Sequence, residues 1–431
     1  MLCAEVTGKK FFAALCSFGC IQAAQMLLPF IALPYLARVL GLEVFGVLLY
    51  MLTLSTLLCM TIEWGFLHWG TRESAVHRGN PAYCGRIVRA VTCGKILLSL
   101  ASLPVIVLLF FFLPHSTQYP TLFFSAIAYG IVWAFNPTWC FQGLGQGMRL
   151  AALAEICGGA CALVLTFLLV QSPEDAALYP FLLFLSKATS YAWLTRRLYQ
   201  TLPMPHAVQP SFAAGWQALR AAWFLFASRA ASAAYSQGVT LVLGWLLAAQ
   251  HMALLILAEK VARAVVSISH PVTQALFPEV CALHAHNASH ALRLLRLSLA
   301  LTAGSMLLGA MLLAVCAPWV VKILLGVESP QATAVLRAYC PLIPLLGCDF
   351  VFGIQTLIPL GQEKALTRIH LATAMLAIPL AALVAWRFSL AGAQYIACAT
   401  EVLIFLLYLY RIWQVQPALL CWHRHGQRNR P

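Results

Sequence analysis

Charge is scarce in this 431-residue chain: only 9% of its residues are Asp, Glu, Lys or Arg, and the acidic ones number 13. Ordinary soluble domains carry roughly 25% charged residues, so a water-exposed globule is excluded. Catalytic signatures are missing as well. No GxxxxGK[ST] loop, HExxH helix, GxSxG elbow or paired CxxC occurs, which removes the commonest ATPase, metalloprotease, serine-hydrolase and thiol-redox readings. Nor is there a long hydrophilic insertion on the expected outer side, where the longest segment is about fifteen residues, roughly 318–332. A membrane polymerase or ligase would need more room than that for an acceptor-binding domain.

What the chain does have is apolar surface: 62% of its residues are hydrophobic, with a mean hydropathy of +0.84. A bilayer core about 30 Å thick takes roughly 20 residues per helix. Apolar runs bounded by Pro, Gly and charge predict twelve spans, at 11–33, 42–63, 91–113, 121–142, 150–171, 177–195, 221–247, 251–277, 297–317, 333–358, 367–386 and 391–411. Lys9 and Lys10 precede the first run as in a signal peptide, but the run passes Leu33 into Pro34 and Arg38 without a small-residue cleavage site, so it reads as a retained helix.

The formal net charge of +14 comes from 27 Lys and Arg. They form no stripe interleaved with aromatics, so nucleic acid is not an expected partner. With a cytosolic N-terminus, eighteen fall in inside segments and only Arg38, Lys322 and Arg387 outside. That bias places both termini in the cytosol. The 15 Cys lie in apolar or cytosolic segments and suggest no disulfide framework. The Pro-bearing stretch with Pro203, Pro205 and Pro210 divides the helices six and six. It implies an N-terminal lobe at 1–200, a cytosolic linker at 201–222, a C-terminal lobe at 223–411 and a basic cytosolic tail at 412–431.

Six bases fall inside spans: Lys95, Lys187, Arg229, Lys260, Arg263 and Arg337. An ionisable group at a helix centre costs roughly 2.5–3.5 kcal/mol on insertion scales, so it faces a wet cavity or a partner. Lys260 and Arg263 share one helix face at i and i+3, and with Arg229 on the preceding helix they could form a cationic site. Lys187 is central enough to join them. Pairing of Lys260 with Glu259 is the bland alternative, but adjacent residues point about 100° apart on a helix. Lys95 and Arg337 sit near the starts of their apolar runs and are read as snorkelling. The embedded acids Glu63, Glu155, Asp349 and Glu401 either neutralise bases or bind a coupling ion, proton or sodium. No cofactor and no metal are expected. His284, His286 and His290 read as a solvated basic segment, Glu174 and Asp175 as a polar turn, and Cys16/Cys20 and Cys157/Cys161 as small-residue packing positions.

Several stretches resemble one family. LLPFIALPYLARVLGLEVFG (27–46), EWGF (63–66), GTRES (70–74) and WCFQGLGQGM (139–148) are similar to the Wzx flippases of O-antigen and polysaccharide units. So are SRAASAAYSQGVTLVLG (228–244), AEKVARAV (258–265), PVTQALFPEV (271–280) and IPLGQEKALTR (358–368). One departure stands at Ala253, Leu254 and Leu255, where the family commonly has Gly-Leu-Tyr.

The resemblance implies a member of the multidrug/oligosaccharidyl-lipid/polysaccharide exporter superfamily. Its fold class would be an all-α polytopic membrane protein, with about twelve transmembrane helices in two six-helix bundles around a central cavity. The cargo would be an undecaprenyl-diphosphate-linked oligosaccharide, moved from the cytosolic to the periplasmic leaflet of the bacterial inner membrane by alternating access. Membrane lipid, a polysaccharide polymerase and a chain-length regulator are the implied partners. By position, Arg72, Arg229, Lys260 and Arg263 match the family's basic sites. A cation-coupled multidrug exporter and a lipid II flippase are the rival transporters. Moving about two negative charges outward is favoured by an inside-negative potential, at roughly 2.3 kcal/mol per charge per 100 mV, so no ATPase motif is required.

Overall fold

The computed structural model describes residues 8–77, 79–202, 212–268, 288–358 and 360–419, and every regular element among them is helical. In chain order these are α1 Gly8–Glu63, α2 Phe66–Val76, α3 Pro81–Phe112, α4 Pro120–Ala134, α5 Thr138–Leu144, α6 Met148–Leu169 and α7 Leu178–Thr201. There follow α8 Phe212–Leu246, α9 Ala249–Ser267, α10 Ala288–Leu325, α11 Pro330–Tyr339 and α12 Leu342–Asp349. A π-helical segment, Phe350–Leu357, then leads to α13 Glu363–Ala393 and α14 Ile396–Val415. Arg78, Gln209 with the rest of 203–211 in the linker, Pro271 and the 271–280 motif, Cys281, His284, His286 and the tail beyond Leu419 lie outside the described residues.

Among the described residues each of the twelve apolar runs falls mainly on helix, the eighth, 251–277, being described only as far as residue 268. The first two share α1, which breaks at Gly41 with φ 71° and ψ 162°, a conformation glycine adopts at no steric cost. The fourth run is split, because α4 ends before Asn136 and Pro137. The Asn136 side chain there accepts the Thr138 amide at 2.9 Å and starts α5. Three helices begin about ten residues before their apolar runs: α3 at Pro81, α8 at Phe212 and α10 at Ala288. Hydropathy registers only the hydrocarbon-matched part of a helix. The added turns carry Arg86 and Arg89, Arg220, and Arg293 and Arg296, charges that suit a helix running on beyond the bilayer.

The snorkelling expected of Lys95 is corrected by that extension. Lys95 lies about four turns inside α3 and is only 3% exposed. Arg337 does reach a backbone oxygen. Its Nε donates to the Ala314 carbonyl at 3.1 Å, the acceptor left without an intrahelical donor by Pro318 four residues on. Glu174 and Asp175 sit in a short 3₁₀ turn, Pro173–Ala177. Asp175 accepts from the Gln171 amide at 3.1 Å and from the Ser172 hydroxyl and amide at 2.9 and 3.0 Å, and those bonds hold its carboxyl below the usual range.

Two compact units emerge. One comprises residues 1–233, 247–253 and 323–326, and the other 234–246, 254–322 and 327–431. In the first, α1 packs on α4 and α6, and both pack on α7. In the second, α14 packs on α11, α12 and α13. Without a hydrophobic driving force between helices in lipid, close packing depends on small residues and interhelical hydrogen bonds. Ser55 of α1 donates to the Ala126 carbonyl of α4 at 2.7 Å, and a Cβ on Gly130 would come within 2.7 Å of the Ser55 carbonyl. A Cβ on Gly46 would overlap the Ala249 carbonyl and lie 3.3 Å from the Ala253 side chain, so Ala253 of the departing tripeptide sits at a tight crossing. The small-residue packing expected of Cys157 and Cys161 falls to Gly158, which faces Ser186 and Ser190; the two cysteines are exposed.

Gly130→Leu should cost about 1–3 kcal/mol through overpacking and lower the thermal midpoint of the detergent-solubilised protein. Gly304→Ala, with nothing within 4 Å of the new Cβ, should leave it unchanged. Fluorescence-detected size-exclusion after heating measures both.

Candidate functional site

The EWGF stretch is a built helix break. α1 ends at Glu63, Trp64 and Gly65 take positive φ of 51° and 78°, and α2 resumes at Phe66. Trp64 Nε1 donates to the Leu219 carbonyl of α8 at 3.0 Å, and its ring stacks on Phe226 at 3.7 Å between centroids. A side chain at 65 would meet Leu225 at 3.0 Å, so glycine is required there by space as well as by φ. Glu63 serves both sides of the break. One carboxylate oxygen accepts the Leu67 amide in the first turn of α2, and the other pairs with Arg229 of α8.

Arg229 therefore does not enter the first unit as a bare cation, yet 37% of its side chain remains exposed. Lys95 of α3 lies within electrostatic reach of the same Glu63 and makes no ion pair among the described residues, so two bases share one acid. Lys187 of α7 pairs with the buried Glu155 of α6, and its ammonium sits 5.5 Å from the Tyr191 ring centroid. Arg72 is on α2, beyond the apolar run 42–63. Its side chain is 74% exposed and pairs with the neighbouring Glu73 at 3.3 Å.

In the second unit, Lys260 and Arg263 do share a face of α9. Glu259 bonds Arg263, with Nε to Oε1 at 2.7 Å across one helical turn, leaving Lys260 without an ion pair among the described residues. Arg263 keeps 45% of its side chain exposed. If the apolar run 251–277 crosses the bilayer as expected, an exposed guanidinium at its middle is tolerable only beside water, since hydrocarbon exposure carries the insertion cost given above. Beyond it lie Asp349, at the end of α12, and Glu401 of α14, whose carboxyl groups are within hydrogen-bonding distance of each other. His370 Nε2 is 2.8 Å from the Tyr408 hydroxyl, and its ring lies 5.4 Å from that of Tyr235.

Sequence spacing could not reveal these pairings. Arg229 and Glu63 are 166 residues apart, and Lys187 and Glu155 are 32 apart. The one readable signal was their occurrence: each embedded acid is surrounded by apolar residues that offer it nothing, so its partner has to come from another helix. Lys95 was misplaced because the apolar run concealed the true start of α3. Among the described residues, no group of three His, Cys, Asp or Glu is placed to hold a metal ion.

Comparison with known proteins agrees with this architecture. A family model described as polysaccharide biosynthesis protein matches residues 15–284. Two curated relatives, whose names provisionally assign them to O-antigen transport, come from Escherichia coli K12 and Shigella dysenteriae. The first is 26% identical over 90% of this chain and 93% of its own length. The second is 28% identical over 90% of this chain and 96% of its own. Among solved structures, an inward closed conformation of the lipid II flippase MurJ superposes with TM-score 0.68 at 11% identity, covering 92% of this chain and 87% of that one. An inward-facing multidrug transporter of the MATE family and MOP superfamily gives 0.63 at 14%, covering 90% and 98%. At these identities the two structures establish the shared fold.

Removing one member of the Glu155–Lys187 pair strands the other charge, so Glu155→Gln and Lys187→Met should each destabilise by about 3 kcal/mol. The double substitution should cost clearly less than their sum. A double-mutant cycle on thermal or denaturant unfolding measures that coupling.

Proposed function

The chain belongs to the polysaccharide biosynthesis protein family, and on that premise we propose that it is a flippase for a lipid-linked oligosaccharide. The cargo is an undecaprenyl-diphosphate-linked repeat unit carried from the cytosolic to the periplasmic leaflet by alternating access. The observation that carries this reading is the cationic surface left on span helices after pairing: Arg229 and Arg263 at 37% and 45% exposure, with Lys260 beside Arg263. A diphosphate bearing a glycan cannot enter hydrocarbon, because an uncompensated ion costs tens of kcal/mol there by Born estimates. Accessible guanidinium and ammonium groups supply the counter-charge, and arginine bonds phosphate oxygens in bidentate fashion. The polyprenyl chain meanwhile stays in lipid.

The names of the two relatives and the fold shared with a lipid II flippase support a transporter rather than an enzyme. Glu63 and Glu259 act here as resident counter-ions that the diphosphate displaces in part, so that each arginine is neutralised whether cargo is bound or absent. Lys187, committed to Glu155, and Arg72, on an exposed helix, act in support: the first holds α6 to α7, and the second attracts the anionic headgroup near the membrane surface. The protein lies in the bacterial inner membrane with both termini in the cytosol. A polysaccharide polymerase and its chain-length regulator take the product on the far side.

Arg229→Gln, Lys260→Gln and Arg263→Gln should each abolish surface polysaccharide in a complementation assay while protein level stays near normal. Tolerance of all three would remove the cationic-site reading. Accumulation of lipid II in place of a repeat-unit intermediate in the deletion strain would reassign the cargo. In a background without native cysteines, a Cys at position 209 should resist a membrane-impermeant thiol reagent in intact spheroplasts; its labelling would invert the topology.

A further inference from the structure

No Asp or Glu occurs between Asp175 and Glu259, a stretch that holds five bases. Two of these lie within apolar runs and take an acid from another helix, Lys187 from α6 and Arg229 from α1. The other three are Arg196 and Arg197 near the end of α7 and Arg220 near the start of α8. All three are exposed and make no ion pair among the described residues. They stand within two residues of the linker-side ends of the runs 177–195 and 221–247.

Two of them are also held in place. The Arg197 guanidinium lies over Trp193 and that of Arg220 over Trp216, each 5.7 Å from the ring centroid and one helical turn from it. Stacking of this kind fixes the planar fork and leaves its N–H edges free for an anion. Both indoles are exposed, and so is Phe224, which continues the Trp216–Arg220 stripe one turn further into the span. The opposite faces are buried: Leu194, Leu198 and Leu202 of α7 share one hydrophobic cluster with Ala218, Leu219 and Ala222 of α8.

We propose that the linker-side ends of α7 and α8 form a binding surface for anionic glycerophospholipid, with Arg197 and Arg220 as its phosphate-bonding groups. Arginine matches a phosphate with paired donors. Indoles settle where an apolar body meets a wet edge, and Phe224 continues toward the acyl chains, so the occupant is an amphiphile rather than a soluble anion. The lack of acids sets the choice of headgroup. A zwitterionic headgroup brings an ammonium that competes for its own phosphate, and no carboxylate between Asp175 and Glu259 is there to receive it. A headgroup with net negative charge carries no such rival.

Native mass spectrometry of the full-length protein, delipidated in mild detergent and titrated with dioleoylphosphatidylglycerol or dioleoylphosphatidylethanolamine, tests the surface. The expected result is tighter binding of phosphatidylglycerol, by about fivefold for each arginine engaged, and a preference that shrinks as salt is raised. Arg197→Gln with Arg220→Gln should erase the preference, and Arg197→Lys with Arg220→Lys should keep most of it. Arg293→Gln, at an exposed base of α10, should leave it unchanged. Equal binding of the two lipids by the wild-type protein, a preference indifferent to salt, its retention in the Gln pair, or an equal loss in Arg293→Gln each overturns the proposal. The first two readings need no variant, so a Gln pair that fails to fold does not shelter it. Displacement of the lipid by inorganic phosphate would make this a free-anion site and overturn it too. Undecaprenyl diphosphate, offered alone, should bind the Gln pair as it binds wild type; an equal loss would place these arginines in the cargo site and overturn the phospholipid assignment. Export is not measured, so failure here and failure of the flippase reading are separate results.

Discussion

A charge carried into hydrocarbon needs an opposite charge or water there, and among the described residues the opposite comes from another helix in two of the three embedded pairs. Glu63 binds Arg229 across α1 and α8, and Glu155 binds Lys187 across α6 and α7. Only Glu259 and Arg263 close within a single helix. Each interhelical bond is both a neutralisation and a positional constraint, because weakening it exposes an ion to lipid. Helices otherwise held by small-residue contacts, such as Ser55 and Gly130 at the α1–α4 crossing, thereby acquire fixed depth relative to one another.

The helix breaks extend the same logic. At Trp64–Gly65 the chain gives up intrahelical hydrogen bonds, and a membrane offers no water to replace them. Glu63 recovers one by capping the amide of Leu67 while holding Arg229, and Trp64 attaches the break to α8 through the Leu219 carbonyl. Arg337 makes a comparable repair by taking up the carbonyl that Pro318 leaves open. Interruption and charge are thus placed together, where one polar side chain can serve both.

The spans were legible because a bilayer demands long apolar runs, and little else in the chain is apolar for so long. Their ends were less so: α3, α8 and α10 continue for turns in which Arg86, Arg220 and Arg293 contribute nothing to hydropathy. Candidate residues could be named because an ionisable group in such a run is costly and therefore conspicuous. Their partners could not, since Glu63 and Arg229 or Asp349 and Glu401 meet only through the packing of helices far apart in sequence. Lys260 shows the limit from the other side. Its neighbour Glu259 looked available, but one helical turn brings Arg263 closer, and the local geometry that argued against the adjacent pair pointed to the one that forms.

The π-helical segment directly after Asp349 has a consequence for how such a chain can change over evolutionary time. Its wider turn is closed by bonds five residues apart, as from the Ile358 amide to the Gly353 carbonyl at 3.2 Å. A π turn accommodates an extra residue within an otherwise α-helical path. Losing one residue here would return the segment to an ordinary α turn and leave the helix faces before and after it close to their present register. An insertion that a plain α-helix would transmit as a rotation of about 100° is absorbed within these eight residues. The wide turn therefore marks a place where this span can gain or lose a codon without redirecting the acid that precedes it, whereas the same change in either flanking α-helix would turn that acid to another face.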